Sequence, residues 1–260
     1  MIRYSLMIFS MFIISTGMIG EKNEKPTLFI IGDSTVKNGS GNGAGGLWGW
    51  GDLMYEHIDT MKISIKNYAR GGRSSRTFIT EGLWDAVVSR IYPGDYVIMQ
   101  FGHNDGGAIN DTSRARGTIR GTGEETQEID NLLTKKHEVV HSFGWYMRKY
   151  ISDCKAKGAI PIVCSLIPRN DWKEGKVIRS SDSYGKWASD AAKAGGALFI
   201  DLNEIVAVHY EAIGQSEVTS KFFLSEHTHT TKAGAQLNAL SVSEGITNLK
   251  ECGLRAYIIK

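Results

Sequence analysis

The sequence predicts an α/β fold, a parallel sheet covered by helices on both faces, and three observations carry that expectation. Short apolar, β-rich runs alternate with stretches of helical periodicity; the runs are apolar almost without interruption; and no internal repeat or linker divides the chain. Such alternation is the rhythm of βα units, and continuous apolar strands suit a sheet buried on both sides. A chain of 260 residues, 42% hydrophobic and 10% aromatic, can fill one such core. We expect one domain over residues 26–260.

The first twenty residues differ from the rest. Arg3 precedes a mostly apolar run from Leu6 to Ile19, then small Gly20 and polar Glu21, Lys22 and Asn23. That pattern predicts a secretory signal peptide over 1–20, hence a secreted or periplasmic protein. Ser10, Ser15, Thr16 and Gly17 interrupt the run, so stable membrane insertion is not expected after cleavage; an uncleaved anchor is the alternative.

Beyond the leader, the expected strands are Thr27 to Gly32, Ile63 to Tyr68, Asp95 to Phe101, Ile160 to Leu166 and Ala197 to Leu202. Between them, Leu83, Trp84, Val87, Val88 and Ile91 recur at helical spacing, and Pro93-Gly94 stops that helix. Val139, Phe143, Met147, Tyr150, Ile151 and Cys154 predict a second helix, with Gly158 just past its end. Ala235, Ala239, Val242, Ile246 and Leu249 predict a third, capped by Thr230 or Thr231. Two segments break the rhythm. Gly106 to Lys136 is long, polar and rich in Gly and Thr, the kind of connection that forms a lid, a binding loop or a solvated excursion. A shorter irregular stretch runs from Arg169 to Ser183.

Charge and cysteines exclude some classes. Lys and Arg number 30 against 28 Asp and Glu, a formal net charge of +2, which gives no electrostatic footprint for nucleic acid. Cys154, Cys164 and Cys252 are odd in number with no C-x-x-C spacing, so buried thiols are expected rather than a zinc site or a disulfide framework.

The chemistry begins where the first strand ends. Phe29-Ile30-Ile31-Gly32-Asp33-Ser34 places a serine at the carboxyl end of a buried strand, where open α/β sheets bind ligands. Serine also favours turns and helix caps, so its position alone settles nothing. A nucleophilic serine needs a base. Near the other end, Ser225-Glu226-His227-Thr228-His229-Thr230 precedes the third helix. Glu226 stands three residues before His229, a spacing that lets a carboxylate fold back onto the same imidazole and fix its tautomer. His227 is the alternative base, but its adjacent carboxylate is poorly aimed. The H-x-H pair lacks a third metal ligand of recognisable spacing. Two further strand ends offer donors for an oxyanion: Ala69-Arg70-Gly71-Gly72-Arg73-Ser74, with an exposed glycine N–H, and Gly102-His103-Asn104-Asp105, with the Asn104 amide. The Ser34 N–H makes a third.

Taken together, Gly32-Asp33-Ser34, Gly72, Gly102-His103-Asn104-Asp105 and Glu226-His227-Thr228-His229 resemble, in order and identity, the four blocks of the SGNH (GDSL-like) hydrolase superfamily. More narrowly, Gly32-Asp33-Ser34-Thr35, Gly72-Arg73-Ser74, Phe101 to Gly107 and His227-Thr228-His229-Thr230 resemble rhamnogalacturonan acetylesterases. The resemblance spans Pro26 to Leu240. It implies a three-layer α/β/α sandwich with a flavodoxin-like sheet of five parallel strands. It implies Ser34 as nucleophile, His229 as base, and the Ser34 N–H, Gly72 N–H and Asn104 side chain as oxyanion hole. The implied reaction removes acetyl groups from an acetylated pectic polysaccharide through an acyl-enzyme, with no metal and no organic cofactor. One block departs from the family pattern: Glu226 stands where Asp is usual, one methylene longer.

Polar groups in the long segment, Arg114, Arg116 and Arg120, are candidates to pair with uronate carboxylates, or are simply solvated beside Glu124, Glu125, Glu128 and Asp130. Trp145 and Trp172 are candidates to stack on sugars or to pack in the core. Competing functions are a lipase or thioesterase of the same superfamily, an acetylxylan esterase, and a catalytically silent carbohydrate-binding relative. The polar, glycine-rich segments after Ser34 and Asn104 argue against an apolar acyl channel. An α/β-hydrolase is disfavoured because no G-x-S-x-G elbow occurs.

Overall fold

Every strand that the sequence predicts joins one parallel sheet. The computed structural model describes residues 25–224 and 226–259, so the expected leader over 1–20 lies outside the described residues. In chain order the elements begin with β1 (Thr27–Gly32), α1 (Ser40–Gly43), β2 (Ser64–Asn67), α2 (Ser75–Thr80), α3 (Leu83–Val88) and β3 (Tyr96–Gln100). Next come β4 (Thr126–Asp130), β5 (His137–His141), α4 (Phe143–Ala156), β6 (Ile160–Cys164), β7 (Trp172–Lys173) and β8 (Lys176–Val177). The chain closes with α5 (Tyr184–Gly195), β9 (Leu198–Ile200), α6 (Leu202–Ile213), α7 (Gln215–Phe222) and α8 (Lys232–Asn248).

The central sheet has the order β2-β1-β3-β6-β9, all parallel. Counting only its own strands, this is the 2-1-3-4-5 order of flavodoxin-like folds, with its switch point between β1 and β3. All six residues of β1 are buried. Alternate side chains serve opposite cores: Leu28 and Ile30 pack with Trp50, Val206, Ala235 and Val242, and Phe29 and Ile31 pack with Trp84, Phe143, Met147 and Tyr150. Burial of each such aliphatic or aromatic side chain contributes about 1.5–3 kcal/mol, which is why β1 holds both layers. Among the described residues no helix is long and apolar enough to cross a membrane. Cys154, Cys164 and Cys252 are buried free thiols.

The structure corrects several boundaries. Val139 does not belong to the helix expected there: it lies in β5 and is 41% exposed. The helix starts at Phe143 because Ser142 caps it, its side chain accepting from Trp145 N at 3.1 Å. The first predicted helix ends at Val88, short of the buried Ile91. Thr231, rather than Thr230, caps α8.

The long segment 106–136 is not structureless, since β4 pairs antiparallel with β5 in a hairpin. Arg76 of α2 pins it from beneath. Its guanidinium, fully buried, pairs with Glu138 at 2.6 Å and donates to Ile109 O and Gly117 O, each at 2.8 Å. The irregular stretch after β6 holds the small β7–β8 hairpin. Trp145 stacks on His141 with ring centroids 3.7 Å apart, and the Trp172 indole donates to Asn170 Oδ1 at 2.8 Å while packing against the core.

Candidate active site

Ser34 is delivered by the turn that ends β1. Gly32 is required there, because a Cβ at this position would meet Gln100 O at 2.6 Å. Asp33 O then accepts from Val36 N and Lys37 N, and the Asp33 carboxylate accepts Thr35 N and Thr35 Oγ1, each at 2.8 Å. The Gln100 amide, at the end of β3, donates to Thr35 Oγ1 at 2.7 Å and accepts the Trp50 indole at 2.9 Å. This buried chain from Trp50 to Asp33 locks the turn from the core side. Burial pushes the Asp33 carboxyl up to about 6 against the opposing Thr35 hydrogen bonds.

His229 reaches Ser34 from the far end of the chain. Thr230 bridges to Trp48, the Trp48 N–H donating to Thr230 O at 3.0 Å and Thr230 Oγ1 donating to Trp48 O at 2.9 Å. With Thr231 capping α8 immediately afterwards, the ring of His229 is held over the sheet's carboxyl edge. His229 Nε2 lies 2.7 Å from Ser34 Oγ, and His229 Nδ1 lies 2.7 Å from Glu226 Oε1.

Glu226 folds back as its spacing suggests. Its Oε1 also accepts the His229 backbone N–H at 2.5 Å, and Oε2 accepts Thr228 N at 2.9 Å. Partial burial raises the Glu226 carboxyl, but the backbone donors of His229 and Thr228 and the imidazole outweigh it and hold it below the usual range. An ionised carboxylate only accepts, so the Nδ1 of His229 carries the proton and Nε2 is left to accept the serine hydroxyl. His227 points elsewhere: its Nδ1 meets Asp171 Oδ1 at 2.8 Å.

Gly72 and Asn104 line the same cleft as Ser34 and His229, a cavity of about 710 Å³. Gly72 has φ +78°, a backbone conformation that a side chain disfavours. The amide hydrogens of Ser34 and Gly72 have no hydrogen-bond partner among the described residues. Asn104, which lines the cleft, donates one amide hydrogen to Arg73 O at 2.8 Å and has a second amide hydrogen to give.

Sequence reasoning assigns no role to Gln100 or Asp105, and it names Arg116 as a candidate for uronate carboxylates without its bond to the Gly72 turn. Asp105 is buried and accepts Ser75 Oγ at 2.5 Å, Ser75 N at 3.0 Å and Gly102 N at 3.0 Å, so it ties the Asn104 turn to the start of α2. Burial pushes its carboxyl up to about 7. Arg116 donates to Gly72 O at 3.1 Å and lines the cleft with Arg114, whereas Arg120 lines a different cavity. The signal for Gln100 was present as a lone polar residue inside the apolar run Tyr96 to Phe101.

A doubly wound parallel sheet with serine, imidazole and carboxylate in series at its switch point defines a class, the SGNH-type carboxylic ester hydrolases. The chain belongs to the GDSL-like Lipase/Acylhydrolase family, whose model matches residues 30–237. It is 33% identical to a rhamnogalacturonan acetylesterase of Emericella nidulans, over 82% of this chain and 81% of that one. It is 27% identical to rhamnogalacturonan acetylesterase RhgT of Bacillus subtilis, over 85% of this chain and 90% of that one. Among solved structures, the Bacillus subtilis protein YxiM superposes with a TM-score of 0.71 at 25% identity, covering 88% of this chain. The chain spans 58% of that longer protein.

Proposed function

We propose that the protein is a carbohydrate O-acetylesterase that removes acetyl groups from rhamnogalacturonan, with Ser34 as nucleophile, His229 as base and Glu226 as the carboxylate behind it. The observation that carries this reading is the unbroken series Ser34 Oγ, His229 Nε2, His229 Nδ1 and Glu226 Oε1, with both links at 2.7 Å. In the reaction, Ser34 Oγ attacks the acetyl carbonyl carbon as its proton passes to His229 Nε2. The oxyanion takes the N–H groups of Ser34 and Gly72 and the Asn104 amide. Collapse breaks the bond to the sugar oxygen, which leaves with the proton from His229, and the acetyl group stays on Ser34. Water, deprotonated by His229, then releases acetate and restores the serine.

The polarity of the cleft favours a carbohydrate over a long acyl chain. Polar residue types, Lys37, Asn38, Ser40, Arg70, Asn104 and Thr228 among them, outnumber the aliphatic Leu47 and Ala69 along its walls. The names of the two acetylesterase relatives, which align over most of their own lengths, favour the pectic polymer. The test is acetate release from acetylated rhamnogalacturonan beside acetylated xylan, and hydrolysis of acetyl beside long-chain nitrophenyl esters. Preference for rhamnogalacturonan and for acetyl is expected; preference for xylan overturns the polymer, and preference for long chains overturns the acetylesterase reading.

A further inference from the structure

Arg73 and Arg116 take no part in the ester chemistry above, yet both bond the turn that presents Gly72. After β2 the chain passes through Arg70-Gly71-Gly72-Arg73, closed by Arg73 N donating to Arg70 O at 3.3 Å. The turn lies directly against the nucleophile: a Cβ placed on Gly71 would sit 3.6 Å from Ser34 Cβ. Two successive glycines carry no side chain to restrict their backbone dihedrals, so the peptide plane between them turns over readily. An oxyanion donor on that plane needs the plane held from outside.

Three successive carbonyls of the turn are held by side chains. Gly71 O accepts Arg73 Nη1 at 2.9 Å, Gly72 O accepts Arg116 Nη1 at 3.1 Å, and Arg73 O accepts Asn104 Nδ2 at 2.8 Å. In a planar trans peptide the N–H points opposite to the C=O, so the bond to Gly71 O aims the Gly72 N–H. The bond to Gly72 O fixes the next plane, and the two together fix the rotation at Gly72, whose φ is +78°. A charged donor on the Gly71 carbonyl also polarises that amide, which strengthens its N–H as a donor.

Each guanidinium is itself held. Arg73 Nε donates to Glu81 Oε2 at 2.9 Å, with Nη2 at the same distance, where Glu81 ends α2. Arg116 sits between two fixed points. Before it, Asp111 Oδ1 accepts the N–H groups of Ser113, Arg114 and Ala115 at 2.8, 2.6 and 2.9 Å. Buried Ala115 is held there at φ +40°, a left-handed conformation that alanine disfavours. After it, Gly117 N donates to Ala108 O at 2.8 Å, and Gly117 O accepts the buried Arg76 at 2.8 Å. Backbone held in a disfavoured region by its surroundings is a mark of segments whose placement serves function. The residue placed by this one is Arg116.

We infer that Arg73 and Arg116 are positioning residues of the oxyanion hole, the first aiming the Gly72 N–H and the second locking the rotation at Gly72. This rests on the reading above in which the Gly72 N–H receives the oxyanion. Neither guanidinium needs to touch the substrate for this, so the effect falls on the chemical step with any ester, with or without a sugar.

The experiment uses nitrophenyl acetate, which has no sugar for Arg116 to touch, and methylboronic acid. Boron accepts Ser34 Oγ and becomes a tetrahedral anion while the serine proton passes to His229, so boronate affinity reports on the oxyanion donors. Arg73→Met and Arg116→Met are each expected to lower kcat by about tenfold to a hundredfold, less than outright removal of a donor, with KM little changed. The boronate dissociation constant is expected to rise by a similar factor. Arg116→Lys fills similar space to methionine but keeps a charged donor, and is expected to recover part of the loss. If a methionine variant does not fold, the glutamine variant at the same position, two atoms shorter than arginine, is read in its place. Unchanged kcat, a loss confined to KM, or a fall in kcat with unchanged boronate affinity overturns the positioning role, and a lysine variant no better than methionine overturns it for Arg116. Asn104→Ala separates this from the reading beneath it. Weaker boronate binding in Asn104→Ala with unchanged affinity in the arginine variants overturns the positioning role alone; unchanged affinity in Asn104→Ala as well removes the oxyanion hole itself, and the positioning role with it.

Discussion

Ser34 Oγ and His229 Nε2 lie 2.7 Å apart although 195 residues separate them in the chain. The contact exists because β1 and the turn before α8 end at the same edge of the sheet, beside the switch point between β1 and β3. Each partner is held from its own side: the serine by the buried Asp33, Thr35, Gln100 and Trp50 chain, the histidine by Thr230 on Trp48 and by Glu226.

Glu226 curls back onto two backbone N–H groups as well as the imidazole of His229. Glu226→Gln replaces one accepting oxygen with a donor, which repels one of those N–H groups and removes the charge facing the imidazolium. Because Glu226 is 43% exposed, the loss is expected to be smaller than for a buried triad acid, roughly tenfold to a thousandfold in kcat with the melting transition retained. Turnover equal to wild type removes Glu226 from the mechanism.

Asn104 donates to Arg73 O and lines the cleft over Ser34. Asn104→Ala removes one oxyanion donor, for which a loss of about a hundredfold to a thousandfold in kcat is expected, with KM changed far less. Losing the bond to Arg73 O also costs about 1 kcal/mol of stability, measurable by urea denaturation. A change confined to KM contradicts the oxyanion role.

Asp33 supplies a test by pH. Its carboxyl is raised to about 6 in the fold from 3.8, chiefly by burial, so the folded state binds the extra proton between those values. Stability from this group is complete below the unfolded value and is lost as pH rises through the folded one. Raising the pH from 5 to 8 is therefore expected to destabilise the protein, Asp33 contributing on the order of 1 kcal/mol. Asp33→Asn keeps an acceptor for Thr35 and cannot ionise, so its denaturation midpoint is expected to fall less over that range. An identical fall in both proteins contradicts the assignment.

How far the sequence discloses this molecule depends on what each residue touches. The five sheet strands are legible because burial on both faces leaves them apolar throughout, as in Leu28-Phe29-Ile30-Ile31. The β4–β5 hairpin is not, because Ile129 and Val140 are its buried apolar residues and no alternation marks it. Ser34, Gly72, Asn104, Glu226 and His229 are legible because each sits in a short block at a strand or helix end, and the fold brings those ends together. Gln100, Asp105 and Arg116 act through contacts with distant segments, Thr35, Ser75 and Gly72, that no local pattern announces. Val139 misleads because its spacing continues the periodicity of α4 across the Ser142 cap.

The central claim is that an acetyl group leaves a pectic sugar by way of Ser34. The most direct measurement is the rate of acetate release from acetylated rhamnogalacturonan by Ser34→Ala beside wild type, both shown to be folded. With the nucleophile gone and the oxyanion donors kept, the rate is expected to fall by about ten-thousandfold or more. Acetate release by Ser34→Ala within about tenfold of wild type contradicts the account, because that residual rate exceeds what binding and oxyanion donors supply without the serine.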